Sequence, residues 1–387
     1  VGEETKDGIE IIGIGNHPSK GLRKGVVVNI ETTVESIKKA VSEAELMAGC
    51  EIHRVYAGIS GGHIRAFNSH GVIAVKDGEI TQSDIDRVIE AAQAVAIPPD
   101  REVIHVIPQE YIIDDQGGIQ EPIGMNGIRL EVKVHIVTAA VTSAQNIVKC
   151  ANKAGLDVAD IALQQVASSE AVLNQDERDL GVVMVDMGGG TTDIAIFQGG
   201  TIKYTTVISL GGNQITNDIA VGLRTPASEA EEIKKKSGCA MASMVGEGET
   251  VEVRSVGGHK PKTVSRRILG DIIEPRVEEV FELVKREVFK SGYEGLIPSG
   301  IVLTGGSASM EGMTELAEQV FDLPVRRGMP SNIAGLVDVV RDPMYSTGVG
   351  LLKYGAKHSS GTRFGRGSGN VFNKLVHRMK GWIKEFF

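Results

Sequence analysis

Residues 182–197 read VVMVDMGGGTTDIAIF, and the reading of the whole chain turns on this stretch. An apolar strand ends at Asp186, the glycines Gly188, Gly189 and Gly190 follow, and Thr191, Thr192 and Asp193 lead into a second apolar strand. Consecutive glycines let backbone N–H groups turn inward around a phosphate, where any Cβ would block the approach. The hydroxyls of Thr191 and Thr192 can add donors, and a carboxylate at a strand end, here Asp186, is placed to hold Mg²⁺ through water. The plainer reading is a tight hairpin with glycines for geometry alone, which does not call for three glycines followed by two threonines.

Two further glycine pairs lie outward from this loop. Residues 301–312, IVLTGGSASMEG, run an apolar strand straight into Gly305 and Gly306 before a helix, a junction at which a purine or ribose can lie close to backbone. Gly211 and Gly212, followed by Asn217 and Asp218, form another strand–helix junction. Each pair is weak alone, but three such turns in this order are hard to obtain by chance.

Upstream, residues 1–29 read as a β-meander with its clearest strands at 9–14 and 25–30. A helix follows over 34–49, closed by Gly49, then a short buried strand over 54–59. Residues from about 68 to 137 read as an inserted α/β module. It has a hairpin at 71–78, a helix over 81–96 opened by Thr81 and Asp84, and half-buried strands at 102–107 and 128–136. Around the glycine loop, helices are expected at 143–155, 163–174, 213–221, 227–237, 265–290 and 313–321, and strands at 201–209, 251–256 and 300–303. Residues 356–369, rich in Gly and Ser, read as a flexible linker.

At 387 residues the chain exceeds one ordinary domain. A net charge of −9 argues against nucleic acid as a partner, because such binding needs a basic footprint that displaces phosphate counterions. Cys50, Cys150 and Cys239 lie far apart without a CxxC pair, which fits a reducing compartment and neither a disulfide frame nor a zinc site. The nine histidines contain no H-x-x-x-H pair, so metal catalysis finds no support. No apolar run approaches the ~18 residues of a membrane span, and no signal peptide is visible.

The last residues, 370–387, read NVFNKLVHRMKGWIKEFF. Helical spacing puts Val371, Phe372, Leu375, Val376, Met379, Trp382, Ile383, Phe386 and Phe387 on one face. Lys374, Arg378, Lys380 and Lys384 fall on the other, opposed only by Glu385. A basic face opposite a stripe holding Trp and Phe is the composition of an interfacial helix on anionic lipid. Such a helix, ~27 Å long at 1.5 Å per residue, would lie in the membrane plane. The competing reading is a terminal helix docked on the protein's own core.

The order D-x-G-G-G-T-T-D, G-G-x-x-x-T-x-D and L-T-G-G-S-A resembles the phosphate-2 and adenosine motifs of the actin/Hsp70/hexokinase superfamily. Within it, the blocks HVIPQEY (105–111), GCA (238–240), SVGG (255–258), EPR (274–276) and STGVGLLKYG (346–355), with the closing basic helix, resemble the FtsA family of bacterial cell-division proteins. The resemblance covers essentially the whole chain. It implies an α/β, actin-like fold: two ribonuclease-H-like lobes around a nucleotide cleft, an inserted 1C-type subdomain and a C-terminal amphipathic helix. It divides the chain into a first-lobe core at 1–67 and 138–180 (1A), subdomain 1C at 68–137, and a second-lobe core at 181–217 and 295–355 (2A, with a return to 1A). Subdomain 2B then takes 218–294, the linker 356–369 and the membrane-targeting helix 370–387.

The same resemblance implies ATP and Mg²⁺ as cofactors, with Glu231 and Lys234 near the ribose. It implies polymerisation into protofilaments and docking of the C-terminal peptide of the division protein FtsZ on the helix at 266–290, with Arg276 as a contact. Later division proteins would engage 1C, and anionic inner-membrane lipid would engage the tail, at the cytoplasmic face of the membrane and the division septum. Gln164 and Gln165 lie near the position where relatives orient the attacking water. An amide is a poor general base, so at most a slow ATPase serving assembly is expected. Glu170 competes for that role from a different helix face. Family members begin with a strand carrying an Asp-x-Gly-Thr phosphate-1 loop. This sequence starts at Val1 without one, so the expectation is a truncated N-terminus, with the first central strand of lobe one missing; were it complete as written, ATP affinity would be seriously reduced. Two readings stand beside this one. One is an actin-like assembly protein of another system, such as pilus biogenesis, which should lack the family blocks. The other is a small-molecule kinase of the same superfamily, which would leave the lipid helix unexplained.

Overall fold

All six residues of the strand Val182–Met187 are buried, so it needs pairing on both edges and cover on both faces. In the computed structural model, which describes residues 1–6, 8–254 and 261–358, it is the middle of a five-stranded sheet. Thr192–Gln198 pairs antiparallel on one edge, followed by Thr201–Ile208; Ile301–Thr304 pairs parallel on the other, followed by Val325–Arg327. The period of two then sorts its side chains between two cores. Val183, Val185 and Met187 pack with Ile215, Ile273 and Phe281 from the helices Gly212–Leu223 and Arg266–Ser291. Val182 and Met184 pack with Leu163, Val166 and Val349 on the first-lobe side.

In the first lobe, Arg54–Ile59 runs parallel to Asp157–Leu163, while Gly2–Thr5, Gly8–Ile11 and Ala334–Gly335 form a separate small sheet. Between these two pieces lies a groove of about 630 Å³, lined by Val1, Ile11, Val55, Tyr56 and Leu352 among others.

The inserted module has its own core. A sheet of Arg65–Ala74, Arg129–Ala140, Arg101–Ile113 and Gln116–Ile119, in that order, is covered by the helix Gln82–Gln93. Ile85, Val88 and Ile89 from the helix meet Leu130, Val132 and Val134 from the sheet. The helix starts where its capping residues predict: the Thr81 backbone N–H and hydroxyl donate to Asp84 Oδ2 at 3.0 and 2.6 Å.

Several expectations are corrected. Of the hairpin expected at 71–78, residues 71–74 are instead the end of the long strand Arg65–Ala74, which pairs Gly71 with Val132. Gly71 is there for packing: a Cβ would stand 2.3 Å from the Val88 carbonyl oxygen on the crossing helix. The strand expected at 25–30 shrinks to Val26–Val27, because Asn29 caps the next helix by accepting from the Thr32 N–H at 3.1 Å. That helix, Ile30–Ala48, therefore begins before the predicted Val34. Asp157–Leu163 went unread because it is buried on both faces and shows no alternation. Ala356 and Lys357, read as the start of a linker, complete the helix Ser346–Lys357. The rest of that linker from 359 on, the SVGG block and the amphipathic tail with Phe372, Lys374, Leu375, Arg378, Met379, Lys380, Trp382, Ile383, Lys384 and Phe386 lie outside the described residues. Among the described residues, no helix is long and apolar enough to cross a membrane.

Candidate functional site

Antiparallel register sets Asp186 opposite Asp193 and Met187 opposite Thr192, leaving residues 188–191 as the turn. Directly paired residues share a face, so the turn carries two carboxylates side by side. Both are buried. Ser168 Oγ donates to Asp186 Oδ2 at 2.6 Å and Thr347 Oγ1 at 3.2 Å. Ser60 Oγ donates to Asp193 Oδ1, and Thr191 Oγ1 to Asp193 Oδ2 at 2.9 Å. Among the described residues no cationic side chain is paired with either acid. Burial raises the Asp186 pKa against the hydrogen bonds from Ser168 and Thr347. Burial, and then the Asp186 charge, push Asp193 up to about 7.

The two further glycine pairs converge on this turn. The Gly212 and Asn213 N–H groups donate to the carbonyls of Gly188 and Gly189 at 2.9 and 2.8 Å, and Ser307 Oγ donates to the Gly188 carbonyl at 3.3 Å. Gly211 has to be glycine, since a Cβ would stand 2.5 Å from the Gly188 oxygen. Gly305 brings the third turn, followed by Gly306, against the Asp186 carboxylate. The Gly188–Gly190 and Gly305–Gly306 turns follow Val182–Met187 and Ile301–Thr304, parallel neighbours that pair Asp186 with Thr304, at the strand ends where α/β sheets take ligands. With the loop carbonyls held from behind, the amides of Gly189 and Gly190 find no acceptor among the described residues. Open, adjacent amides of this kind make an anion nest.

The hydroxyls of Thr191 and Thr192 depart from expectation. Thr192 donates to the Leu210 carbonyl at 2.9 Å and Thr191 to Asp193, so both close the turn and leave the backbone as the open donor set.

Lys234 and Glu231 do join the glycines. Lys234 is 8% exposed, whereas Lys235 and Lys236 are exposed, and its Nζ donates to the Gly212 carbonyl at 3.0 Å and to Thr216 Oγ1 at 2.8 Å. It pairs with Glu231 at 2.7 Å. Burial lowers the Lys234 pKa; burial also pulls Glu231 up, but the hydrogen bonds from Lys234 and Thr216 hold it below its ordinary value.

Asp218 does not join them. Thr216 faces the glycines, and two residues further on a helix of 3.6 residues per turn points roughly the opposite way. Asp218 accepts there from Arg276 Nε at 2.5 Å and Nη2 at 3.2 Å, with Glu279 completing the cluster. The two residues expected at different sites are one ion pair.

Gln164 and Gln165 open the helix Gln164–Val172. Gln165 is fully buried; its Nε2 donates to the Thr206 carbonyl at 3.1 Å, and its Oε1 has no partner among the described residues. Ser168, one turn on, shares that helix face and reaches Asp186. Gln164 packs against Gly58. Glu170 lies on another face, half-buried in an ion triad with Arg178, at 3.1 Å, and the exposed Lys357. It is neither a solvated surface residue nor a neighbour of the carboxylate pair. Sequence reasoning left Asp193, Ser60, Ser168 and Thr347 without a role. Only Asp193 had a local signal, its mirror position to Asp186 across the turn.

A family model described as "Cell division protein FtsA" matches residues 183–350, and one described as "SHS2 domain inserted in FTSA" matches residues 61–138. The cell division protein FtsA of Pseudomonas aeruginosa is 54% identical over 394 residues, covering 100% of this chain and 94% of that protein. That of Neisseria meningitidis serogroup B is 47% identical, covering 100% and 95%, and that of Escherichia coli K12 is 43% identical, covering 99% and 92%. Among solved structures, a PilM-PilN type IV pilus biogenesis complex superposes with a TM-score of 0.65 at 15% identity, covering 91% of this chain and 93% of that one. The ethanolamine utilization protein EutJ from Carboxydothermus hydrogenoformans does so with 0.50 at 17% identity, covering 87% and 78%. At such identities the likeness concerns the fold alone.

Proposed function

The chain belongs to the FtsA family of cell division proteins, with an actin-like fold and an inserted SHS2 module, and on that premise we propose that it binds ATP, polymerises on the cytoplasmic membrane and anchors FtsZ at the division site. The observation that carries this reading is the convergence of three glycine turns on two buried carboxylates. Open amides at Gly189 and Gly190 suit phosphate oxygens. The oxygen-only pair Asp186 and Asp193 suits a hard cation, and both acids lie where burial alone disfavours their charge. Asp186 and Asp193 would hold Mg²⁺ with water between, and the bound ion would offset charge on the β- and γ-phosphates.

On this reading Gly211, Gly212, Glu231, Lys234, Gly305 and Gly306 hold the nucleoside side. The unpartnered Gln165 Oε1 fits a water beside the terminal phosphate, and an amide in that role makes hydrolysis slow. FtsZ's C-terminal peptide would meet the helix Arg266–Ser291 around Arg276, and later division proteins the inserted module. Residues 370–387 would lie on anionic lipid, where polymerisation turns many marginal contacts into avidity.

Co-sedimentation with anionic vesicles tests the proposal. ATP with Mg²⁺ should increase the pelleted fraction, and removal of residues 370–387 should abolish pelleting while nucleotide binding persists. Pelleting that survives the removal would place the membrane contact elsewhere, and pelleting indifferent to ATP would leave only a passive tether. A pilus-assembly role has only the shared fold in its favour.

A further inference from the structure

The short hairpin of Leu22–Arg23 and Val26–Val27 turns at Lys24 and Gly25, and both have positive φ, 51° and 79°. Turns that need positive φ at both central residues favour Asn, Asp or Gly at the first. A lysine there is held against local preference, the kind of outlier that points to function when its surroundings agree.

The surroundings are the glycine loop. A Cβ on Gly190 would stand 3.3 Å from both the N and the Cα of Lys24. On the other side, a Cβ on Gly25 would stand 2.8 Å from the Ser60 carbonyl oxygen, and one on Gly61 3.3 Å from the Lys24 carbonyl oxygen. The Lys24–Gly25 turn is thus wedged between the second-lobe loop and the Ser60–Gly61 turn, and Ser60 in turn donates to Asp193.

Charge adds the second argument. Asp186 and Asp193 already make this corner acidic, and nucleotide phosphates would add more negative charge. Of the lysines at the glycine turns, Lys234 is buried and paired with Glu231, while Lys24 is exposed and has no ion pair or hydrogen bond from its ammonium among the described residues. Its flexible stem suits a point-charge contact to phosphate. We propose that Lys24 is a nucleotide-site residue, its ammonium binding the terminal phosphates of a nucleoside triphosphate seated on the Gly188–Gly190 loop. This rests on the nucleotide reading above and adds a first-lobe cation to a second-lobe loop.

Titration calorimetry of the full chain with ATP or adenosine, in Mg²⁺, tests it. Lys24→Gln removes the charge, and Lys24→Arg keeps it. Lys24→Gly removes it while easing the positive φ, so loss of the turn cannot explain its behaviour. Arg23→Gln removes the neighbouring charge on the same hairpin. The expected result is ATP affinity weakened about ten- to hundredfold in Lys24→Gln and Lys24→Gly, the worth of one charge-assisted bond. Lys24→Arg should be largely spared, and Arg23→Gln and all adenosine affinities unchanged. Parent-like ATP affinity in Lys24→Gln, an equal loss in Arg23→Gln, or an equal loss for adenosine overturns the assignment. A parent chain that binds no ATP would remove the nucleotide reading itself, and this assignment with it, before any variant is compared.

Discussion

Gly305 has φ +85°, and a Cβ there would stand 2.4 Å from Asp186 Oδ1 and 2.7 Å from the Met187 carbonyl oxygen. Asp186 is held by Ser168 and Thr347, and Met187 by its strand, so neither neighbour can give way cheaply. Gly305→Ala should therefore cost about 2–4 kcal/mol, combining strain with a clash, as read by chemical denaturation. Gly124 provides the contrast: its φ is +82° but nothing lies within 4 Å of a Cβ, so Gly124→Ala should cost only about 1–2 kcal/mol. A loss in Gly305→Ala no larger than in Gly124→Ala would contradict the close approach to Asp186. Glycines also mark how far single residues could be read. The run 188–190 was legible because consecutive glycines have few uses. Gly71 was misread as a turn because its packing partner, Val88, lies on a different element.

At the scale of elements, the strand Thr201–Ile208 joins the inserted module to the candidate site. Its Ile202 and Lys203 carbonyls accept from Gln109 Nε2 at 2.8 and 3.3 Å, and Thr205 Oγ1 lies 2.9 Å from His135 Nε2, both partners from the module. The Thr206 carbonyl accepts from Gln165, which shares a helix with Ser168. His135 is buried, with Nδ1 at 2.7 Å from Asn68 Oδ1, an arrangement suited to the neutral ring with its proton on Nδ1. Burial lowers its pKa to about 4. Between that value and about 6.5 the unfolded chain binds a proton that the folded one does not. The His135 contribution is therefore intact above pH 6.5 and falls by up to about 3 kcal/mol as pH drops toward 4. Asp193 acts in the opposite sense. Its raised pKa makes the folded chain the better proton binder between about 4 and 7, so its effect on stability worsens as pH rises through that window. The two slopes offset each other in the parent. His135→Gln, which keeps an amide in place of the ring, should thus gain stability relative to the parent between pH 7.5 and pH 5, measured as Tm. A difference that does not change with pH would mean His135 titrates normally.

Whole elements were legible in proportion to how locally they are specified. The helix Gln82–Gln93 announced itself through its capping box and apolar stripe. The strand Asp157–Leu163 did not, because a strand buried on both faces owes its existence to neighbours far away in sequence.

Across the whole molecule, the sheet centred on Val182–Met187 serves two cores, and the candidate site sits where first-lobe groups meet second-lobe loops. A ligand held by both lobes stabilises the folded chain by mass action, by about 2.7 kcal/mol when present at a hundred times its Kd. ATP with Mg²⁺ should accordingly raise the melting temperature by a few degrees. ATP with a chelator should raise it less, since the buried acids then face the phosphates without a cation. A melting temperature indifferent to both conditions would count against the nucleotide site. The glycine loop, Asp186, the capping box of the module and the family blocks could all be recognised in the chain as written, because backbone sterics and local hydrogen bonds act over a few residues. Long-range packing alone decided the rest: Ser60 brought to Asp193, Ser168 and Thr347 to Asp186, Lys24 to Gly190, and Asp218 turned away to Arg276. Those groups come from segments that touch only after both cores have formed, and no spacing along the chain encodes a contact made that way.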